Sequence, residues 1–161
     1  MRKPNKTLYL CQAALIAALY VALTFLAKLL GLDSGVIQVR FSEALCLLPI
    51  FTPAAIPGVT LGCFLANLLG GAVILDTIVG PIATLIGALG TYWLRKNKWL
   101  AAMPPVLSNA LIVPFILAYG YGAPDAIPFM MLTVGAGEII SIYVLGMLFV
   151  KVAEKPLRKL T

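Results

Sequence analysis

The sequence predicts an all-α integral membrane protein: one membrane domain, residues 1–161, folded as a bundle of six transmembrane helices. Of the 161 residues, 61% are hydrophobic and 11% are charged, whereas about 25% of residues are charged in soluble domains. Apolar runs separated by short polar breaks recur from Leu8 to Val150, and a helix needs about 17–25 such residues to cross a bilayer core. The composition therefore excludes a substantial soluble domain.

Glycine, proline, aspartate or basic residues mark the breaks between the predicted helices. The first helix is too long for a cleaved secretory signal, so we predict that it is retained. The second is short and proline-interrupted, so residues 38–75 form either two spans or one re-entrant hairpin, and both return the chain to the same side. The six predicted helices are Leu8–Leu30, Gln38–Thr52, Ala54–Leu75, Thr77–Leu94, Leu100–Tyr119 and Ile127–Val150.

The distribution of basic residues predicts the orientation of this bundle. With six spans, most of the 12 Lys and Arg residues share one face, which is cytoplasmic by the positive-inside rule, as are both termini. The net charge of +6 then reflects topology and anionic lipid headgroups rather than nucleic acid. The residues on this face are Arg2, Lys3, Lys6, Arg95, Lys96, Lys98, Lys151, Lys155, Arg158 and Lys159.

Small residues recur every four positions on several helices, a spacing that lets another helix approach closely. On the first helix the ridge consists of Ala14, Ala18 and Ala22. It indicates either internal packing or an external partner, and the pattern does not distinguish them. The ridges on the third and fourth helices are explained by internal packing; they are Gly58, Gly62, Ala66 and Gly70, and Ala83, Gly87 and Thr91.

Polar side chains within apolar helices are few, and ionisable groups in a membrane usually face a cavity or a partner. Glu138 lies about 16 Å into the sixth helix, near the bilayer centre, among small neighbours and far in sequence from any basic residue. We predict a substrate pocket open to the outside, with Phe41, Phe64, Tyr119 or Tyr143 available for a planar ring. Its predicted substrate-binding residues are Arg40, Glu43, Asn67, Asp76, Asn109 and Glu138.

Structural roles are alternatives for most of these residues. Arg40 and Glu43 stand three apart and would pair on one helix face. Asn67 and Asn109 would form hydrogen bonds between helices. Asp76 would cap the helix that follows it.

Several function classes lack the residues that they need. The chain has no histidine, and its three cysteines show no metal-ligand spacing, so we expect no metal and no cofactor. No nucleophile with an activating base is evident, which argues against an enzyme. No P-loop is present, so ATP-driven work requires a partner. An internal repeat typical of secondary transporters is also absent.

Residues 38–45 (QVRFSEAL) and 51–58 (FTPAAIPG) resemble the QueT family, and residues 65–71 (LANLLGG) with Leu75 and Asp76 extend the likeness. The resemblance implies the six-helix fold of a substrate-binding S component of an energy-coupling factor (ECF) transporter for queuosine precursors. It further implies that the alanine ridge docks on a transmembrane T component, which carries two cytoplasmic ATPase subunits.

A 7-deazaguanine presents adjacent N–H and amino donors, which one carboxylate, Glu43 or Glu138, accepts together. Its ring carbonyl requires a donor such as Arg40, Asn67 or Asn109. Riboflavin, thiamine or folate use similar groups, so an S component for another vitamin is an alternative. A small oligomeric channel or facilitator, or an intramembrane enzyme, are alternatives from other classes.

The resemblance also predicts a transport mechanism. The loops Asp33–Ile37 and Gly120–Ala126 would cover a ligand that enters from outside, and ATP hydrolysis in the partner would reorient the protein to release it inside.

Overall fold

The computed structural model of the chain describes residues 6–32 and 37–157, with side chains as far as residue 154. Within these ranges every regular element is helical and no strand forms, which confirms the predicted all-α class. A 3-10 helix occupies Phe41–Ile50 and a π-helical segment occupies Ile139–Gly146. The α-helices are α1 (Lys6–Leu29), α2 (Ala55–Leu69), α3 (Ile74–Trp93), α4 (Lys98–Ala101), α5 (Met103–Gly120), α6 (Ile127–Glu138) and α7 (Met147–Leu157).

In the described ranges, four helical stretches are long and apolar enough to cross a membrane. They are α1, α3, the stretch Lys98–Gly120 and the stretch Ile127–Glu154. The 3-10 helix and α2 are apolar but shorter. Length and composition therefore support four of the six predicted spans.

The second predicted helix, Gln38–Thr52, is shorter than expected and is a 3-10 helix of 10 residues. Pro49 lies inside it and has no N–H to donate to a helical hydrogen bond. A 3-10 helix rises about 2.0 Å per residue, against about 1.5 Å for an α-helix. The segment therefore extends about 20 Å along the bundle, further than an α-helix of the same length.

The break between α2 and α3 also differs from the prediction. The predicted helix Ala54–Leu75 ends early because Gly71, with a φ of 70°, follows α2 closely, and glycine adopts this left-handed conformation without a steric penalty. α3 begins before Asp76, which lies buried in its first turn. Asp76 is therefore not the cap that precedes Thr77, and its carboxylate stands where the helix dipole favours negative charge.

α1 and α2 lie side by side and point in the same direction. A Cβ atom on Gly58 would lie 2.9 Å from the Ile16 side chain, and one on Gly62 would lie 2.6 Å from that of Tyr20. Such close approach requires small residues at these positions. The structure thus confirms internal packing for the glycine ridge of α2.

The chain between these two parallel helices runs in the opposite direction. The Val39 N–H donates to the Leu32 carbonyl at 2.9 Å, just beyond the end of α1. Near the beginning of α1, the Tyr9 hydroxyl donates to the Pro53 carbonyl at 3.5 Å. Residues 39–53 therefore extend from one end of α1 to the other.

α3 and α5 pack in antiparallel directions. A Cβ atom on Gly87 of α3 would lie 2.7 Å from the Cα of Pro105, near the start of α5. At the other end of the two helices, a Cβ atom on Gly120 would lie 3.0 Å from the side chain of Val73, the residue just before α3. One end of the bundle, the polar end, therefore gathers the last residues of α1, α2 and α5 and the first residues of α3.

The other end contains the described part of the predicted cytoplasmic basic face. There the Lys98 Nζ forms a salt bridge of 2.6 Å with the Glu154 Oε2, which joins α4 to α7. Four of the predicted basic residues, Arg2, Lys3, Arg158 and Lys159, lie outside the described residues, as do residues 33–36 of the first predicted covering loop.

The alanines of α1 occupy two faces. Ala13 and Ala17 are buried on the side that contacts α2. Ala14, Ala18 and Ala22 are exposed. The described residues therefore leave the predicted alanine ridge uncovered, which argues against internal packing for it.

Candidate functional site

The polar end of the bundle contains a cavity of about 370 Å³. The ends of α1, α2 and α5 and the start of α3 surround it, together with the extended residues before the 3-10 helix. Of the six predicted substrate-binding residues, three line this cavity: Arg40, Asn67 and Asp76. The other described lining residues are Thr24, Ala27, Lys28, Gln38, Gly70, Gly71, Ala72, Val113, Ile116, Leu117 and Tyr121.

Two neighbours orient the Asp76 carboxylate. The Tyr121 hydroxyl donates to Oδ2 at 2.9 Å, and the Asn67 amide lies 3.4 Å from Oδ1. The same amide donates to the Asp76 backbone carbonyl at 3.0 Å, so it also joins α2 to α3. Asn67 therefore forms a hydrogen bond between two helices, as the structural alternative predicted, and it also lines the cavity.

Tyr121 lies just beyond α5 and is about half exposed, with 48% of its surface accessible. Partial burial, followed by the nearby Asp76 carboxylate, raises the pKa of Tyr121. Its hydroxyl therefore stays protonated at neutral pH and remains a donor. Its ring is the aromatic group among the described residues that line the cavity.

A second set of polar residues, the buried carboxylate cluster, comprises Glu43, Asn109 and Glu138. The Glu43 side chain is 1% exposed and accepts three hydrogen bonds. They come from the Tyr20 hydroxyl at 2.5 Å, the Cys46 thiol at 3.2 Å and the Asn109 amide at 3.4 Å. These donors compensate for the cost of removing a carboxylate from water.

Glu138 is 6% exposed, and its Oε2 has no hydrogen-bond partner among the described residues. It interacts electrostatically with Glu43 and Arg40 and lies close to Asn109. A buried carboxylate oxygen without a donor is unfavourable, because its desolvation is not compensated. Glu138 is thus the member of the cluster with capacity for a further donor.

Arg40 connects the cavity with the buried carboxylate cluster. It lines the cavity, and it interacts electrostatically with Glu43, Asp76 and Glu138. It precedes the 3-10 helix, so the predicted pairing of Arg40 and Glu43 along one helix face does not occur in that form. A single guanidinium therefore interacts electrostatically with three carboxylates that different parts of the fold contribute.

The aromatic residues predicted for ring stacking lie elsewhere. Phe64 and Tyr119 are exposed on the outside of the bundle, and Phe41 is not among the described residues of the cavity wall. The Tyr143 hydroxyl donates to the carbonyl of Trp99 in α4 at 3.0 Å, far from the cavity.

Sequence reasoning missed Tyr121 and Tyr20. Tyr121 belongs to a predicted loop, where no periodicity indicates which side chain turns inward. Tyr20 is a polar-tipped residue in a largely apolar helix, and a buried tyrosine hydroxyl usually has a partner. That rule would have singled out Tyr20, although not its partner Glu43.

Comparison with known proteins gives two matches. Residues 10–155 match the model of a protein family described as the QueT transporter. A curated relative, "Queuosine precursor transporter QueT" of Lactococcus lactis subsp. cremoris (strain MG1363), is 39% identical over 84 residues, which are 52% of this chain and 49% of the relative. The match thus spans about half the length of that relative. No solved structure matches the chain.

Proposed function

Because this chain belongs to the QueT transporter family, we propose that it is the substrate-binding membrane subunit of an ATP-driven ECF importer. Its substrate would be a queuosine precursor of the 7-deazaguanine type, captured from outside the cell. The named relative is a queuosine precursor transporter. The chain would supply affinity and specificity, and its partners would supply the energy.

The membrane topology that we propose has six crossings and cytoplasmic termini. The parallel packing of α1 and α2 supports it, because the chain must return between them. The end-to-end course of residues 39–53 along α1 provides that return. The described basic residues of α4 and its surroundings then lie in the cytoplasm, as the positive-inside rule requires, and the polar end opens outward.

The cavity at the polar end is suited to a small planar ligand. Ligand pockets are usually about 300–1,000 Å³, so 370 Å³ accommodates a fused two-ring molecule rather than a much larger one. We propose that Asp76 accepts the paired N–H donors of a deazaguanine, and that Arg40 or Asn67 donates to its carbonyl. Tyr121 would contact the ring.

The observation that carries this proposal is the unpartnered Oε2 of Glu138, a residue that interacts electrostatically with Arg40 on the cavity wall. Glu138 is not among the described residues that line the cavity, so we propose that its Oε2 receives a donor from the bound ligand through water, as the amino group of a precursor's substituent would provide. The Asn109 amide already donates a hydrogen bond to Glu43, so these two residues would hold Glu138 in position rather than contact the ligand.

The partner surface that we propose is the ridge of Ala14, Ala18 and Ala22. These residues are exposed along one face of α1, and small residues let a second membrane helix approach closely. A transmembrane T component bound there would transmit ATP hydrolysis from two cytoplasmic ATPases. The absence of a P-loop motif from the sequence accords with this division of labour.

The test is a calorimetric titration of the purified protein in detergent. The ligands are 7-aminomethyl-7-deazaguanine, its cyano analogue and queuine, with riboflavin, thiamine and folate as controls. We expect binding of a deazaguanine that is weakened in Asp76→Asn and Glu138→Gln, and unchanged in Glu154→Gln, the same kind of change at the opposite end. Binding of a control vitamin alone would identify a different substrate, and no binding by any deazaguanine would refute the assignment.

A further inference from the structure

The extended residues that lead into the 3-10 helix lie directly on the backbone of α6. A Cβ atom on Gly137 would collide with the carbonyl oxygen of Gln38 and would lie 3.0 Å from its carbonyl carbon. Both atoms belong to the backbone, so no change of side-chain rotamer relieves the collision. Gly137 is buried, and the contact therefore requires glycine at this position.

One helical turn further along, Ser141 holds the same segment by a hydrogen bond. The Arg40 backbone N–H donates to the Ser141 Oγ at 3.0 Å, and the Ser141 hydroxyl donates to the Gly137 carbonyl at 2.9 Å. Ser141 is 1% exposed, so water does not replace either bond. The Ser141 hydroxyl accepts one hydrogen bond and donates the other, and an alanine side chain can do neither.

We call residues 38–40 the strap, and we call Gly137 and Ser141, on which the strap lies, the strap seat. The strap is also attached at Val39, whose N–H donates to the Leu32 carbonyl. With Val39 and Arg40 both bound through their backbones, the direction in which the Arg40 side chain leaves the strap is fixed. That side chain lines the cavity and interacts electrostatically with the carboxylates of Asp76, Glu43 and Glu138.

We propose that Gly137 and Ser141 are positioning residues, which hold the strap so that the Arg40 guanidinium stands at the boundary between the cavity and the buried carboxylate cluster. The proposal rests on the proposed function, because its consequence is affinity for the deazaguanine ligand. Ligand affinity depends on placing a polar group within a fraction of an ångström, so a displaced strap weakens binding even when the bundle remains folded.

The first test compares two glycines of the same helix. At Gly137 an added Cβ meets the strap, whereas at Gly135 it would lie 3.6 Å from the Ala110 Cβ, an ordinary contact. We expect Gly137→Ala to weaken deazaguanine binding by about tenfold or more, and Gly135→Ala to change it by less than about twofold. Equal affinities for the two variants would overturn the proposal.

The second test asks whether Ser141 acts through Arg40. Ser141→Ala should weaken binding in the wild-type background by about fivefold or more, yet have little effect when Arg40 is already alanine. If Arg40→Ala abolishes measurable binding, Arg40→Lys serves as the background. An equal loss in both backgrounds would assign Ser141 a general structural role and refute positioning.

A ligand-independent measurement separates the strap seat from the proposed substrate. In Ser141→Ala the Arg40 amide loses its acceptor, so hydrogen–deuterium exchange in residues 38–40 should accelerate without added ligand, while exchange in α3 and α5 stays unchanged. Accelerated exchange with no deazaguanine binding by the wild type would retain the strap seat and reject the substrate. Unchanged exchange in residues 38–40 would refute the strap seat, whichever ligand binds.

Discussion

The Tyr20 hydroxyl donates a hydrogen bond of 2.5 Å to the Glu43 Oε1. Tyr20 is 2% exposed, and it belongs to the face of α1 that contacts Gly62 of α2. One tyrosine thus meets α2 through its Cβ and the 3-10 helix through its hydroxyl. Because Glu43 also accepts from Asn109 of α5, this pair is the point where four helical segments are joined.

Tyr20→Phe should therefore destabilise the protein. The substitution keeps the ring but removes a donor from a buried carboxylate, a change that costs about 1.5–3 kcal/mol. The matched control is Tyr9→Phe on the same helix, because the Tyr9 hydroxyl forms an exposed and long bond of 3.5 Å. The melting temperatures of both variants are measured by thermal unfolding in detergent. Equal melting temperatures for the two variants would contradict a structural role for the Tyr20–Glu43 bond.

The pattern of apolar runs and polar breaks predicted the all-α class and the approximate extents of α1, α5 and the long helix of residues 127–154. It did not predict the 3-10 geometry of residues 41–50, because an apolar run has the same composition in either helix type. The break after α2 was misplaced at Asp76, although the Gly70-Gly71 pair is a common helix-ending signal. An aspartate in a first turn and an aspartate cap leave similar patterns in a sequence.

The sequence singled out six polar residues as a candidate site, but it did not indicate which of them line the cavity and which belong to the buried carboxylate cluster. Six polar positions were selected because charge and amide groups are costly in a membrane. Their division into a cavity wall and a buried cluster depends on contacts between residues far apart in sequence, such as Asn109 with Glu43. Likewise, nothing near Gly137 in sequence indicates that Gln38 lies on it.

Tyr121→Phe should weaken ligand binding by about two- to tenfold, the range expected for one lost hydrogen bond. Without its 2.9 Å bond to Tyr121, the Asp76 carboxylate is less firmly oriented towards the cavity. Tyr119→Phe is the matched control, because Tyr119 lies two residues away, is 76% exposed and is not among the described residues that line the cavity. Calorimetric titration measures the ligand affinity of both variants. A similar loss in both variants would exclude orientation of Asp76 as the cause.

The six-crossing topology predicts which loops are accessible from outside. Asp125 and Asn97 are both exposed and lie at opposite ends of the bundle. In a background with Cys11→Ala, Cys46→Ser and Cys63→Ala, a membrane-impermeant maleimide should label Asp125→Cys on intact cells. It should label Asn97→Cys only after permeabilisation. The reverse pattern would invert the proposed orientation, and labelling of both on intact cells would exclude the topology.

A bulky side chain on the exposed face of α1 should reduce uptake of the ligand without reducing ligand binding. Ala18→Phe adds a ring to the uncovered ridge, so we expect affinity for the ligand to change by less than about twofold while uptake falls by about tenfold or more. Ala17→Phe is the control on the buried face: Ala17 is 6% exposed, and its carbonyl lies 3.1 Å from the Cβ position of Gly62. Overpacking there should cost about 1–3 kcal/mol of stability.

The two alanines thus distinguish a docking surface from a packing surface on one helix. Uptake is measured in cells that also produce a T component and its ATPases, and binding is measured on the isolated protein. If Ala18→Phe lost binding together with uptake, the ridge would be needed for the fold itself. If it retained both, a partner would have to dock elsewhere, because a phenylalanine ring at the centre of the ridge prevents the close helix approach that small residues permit.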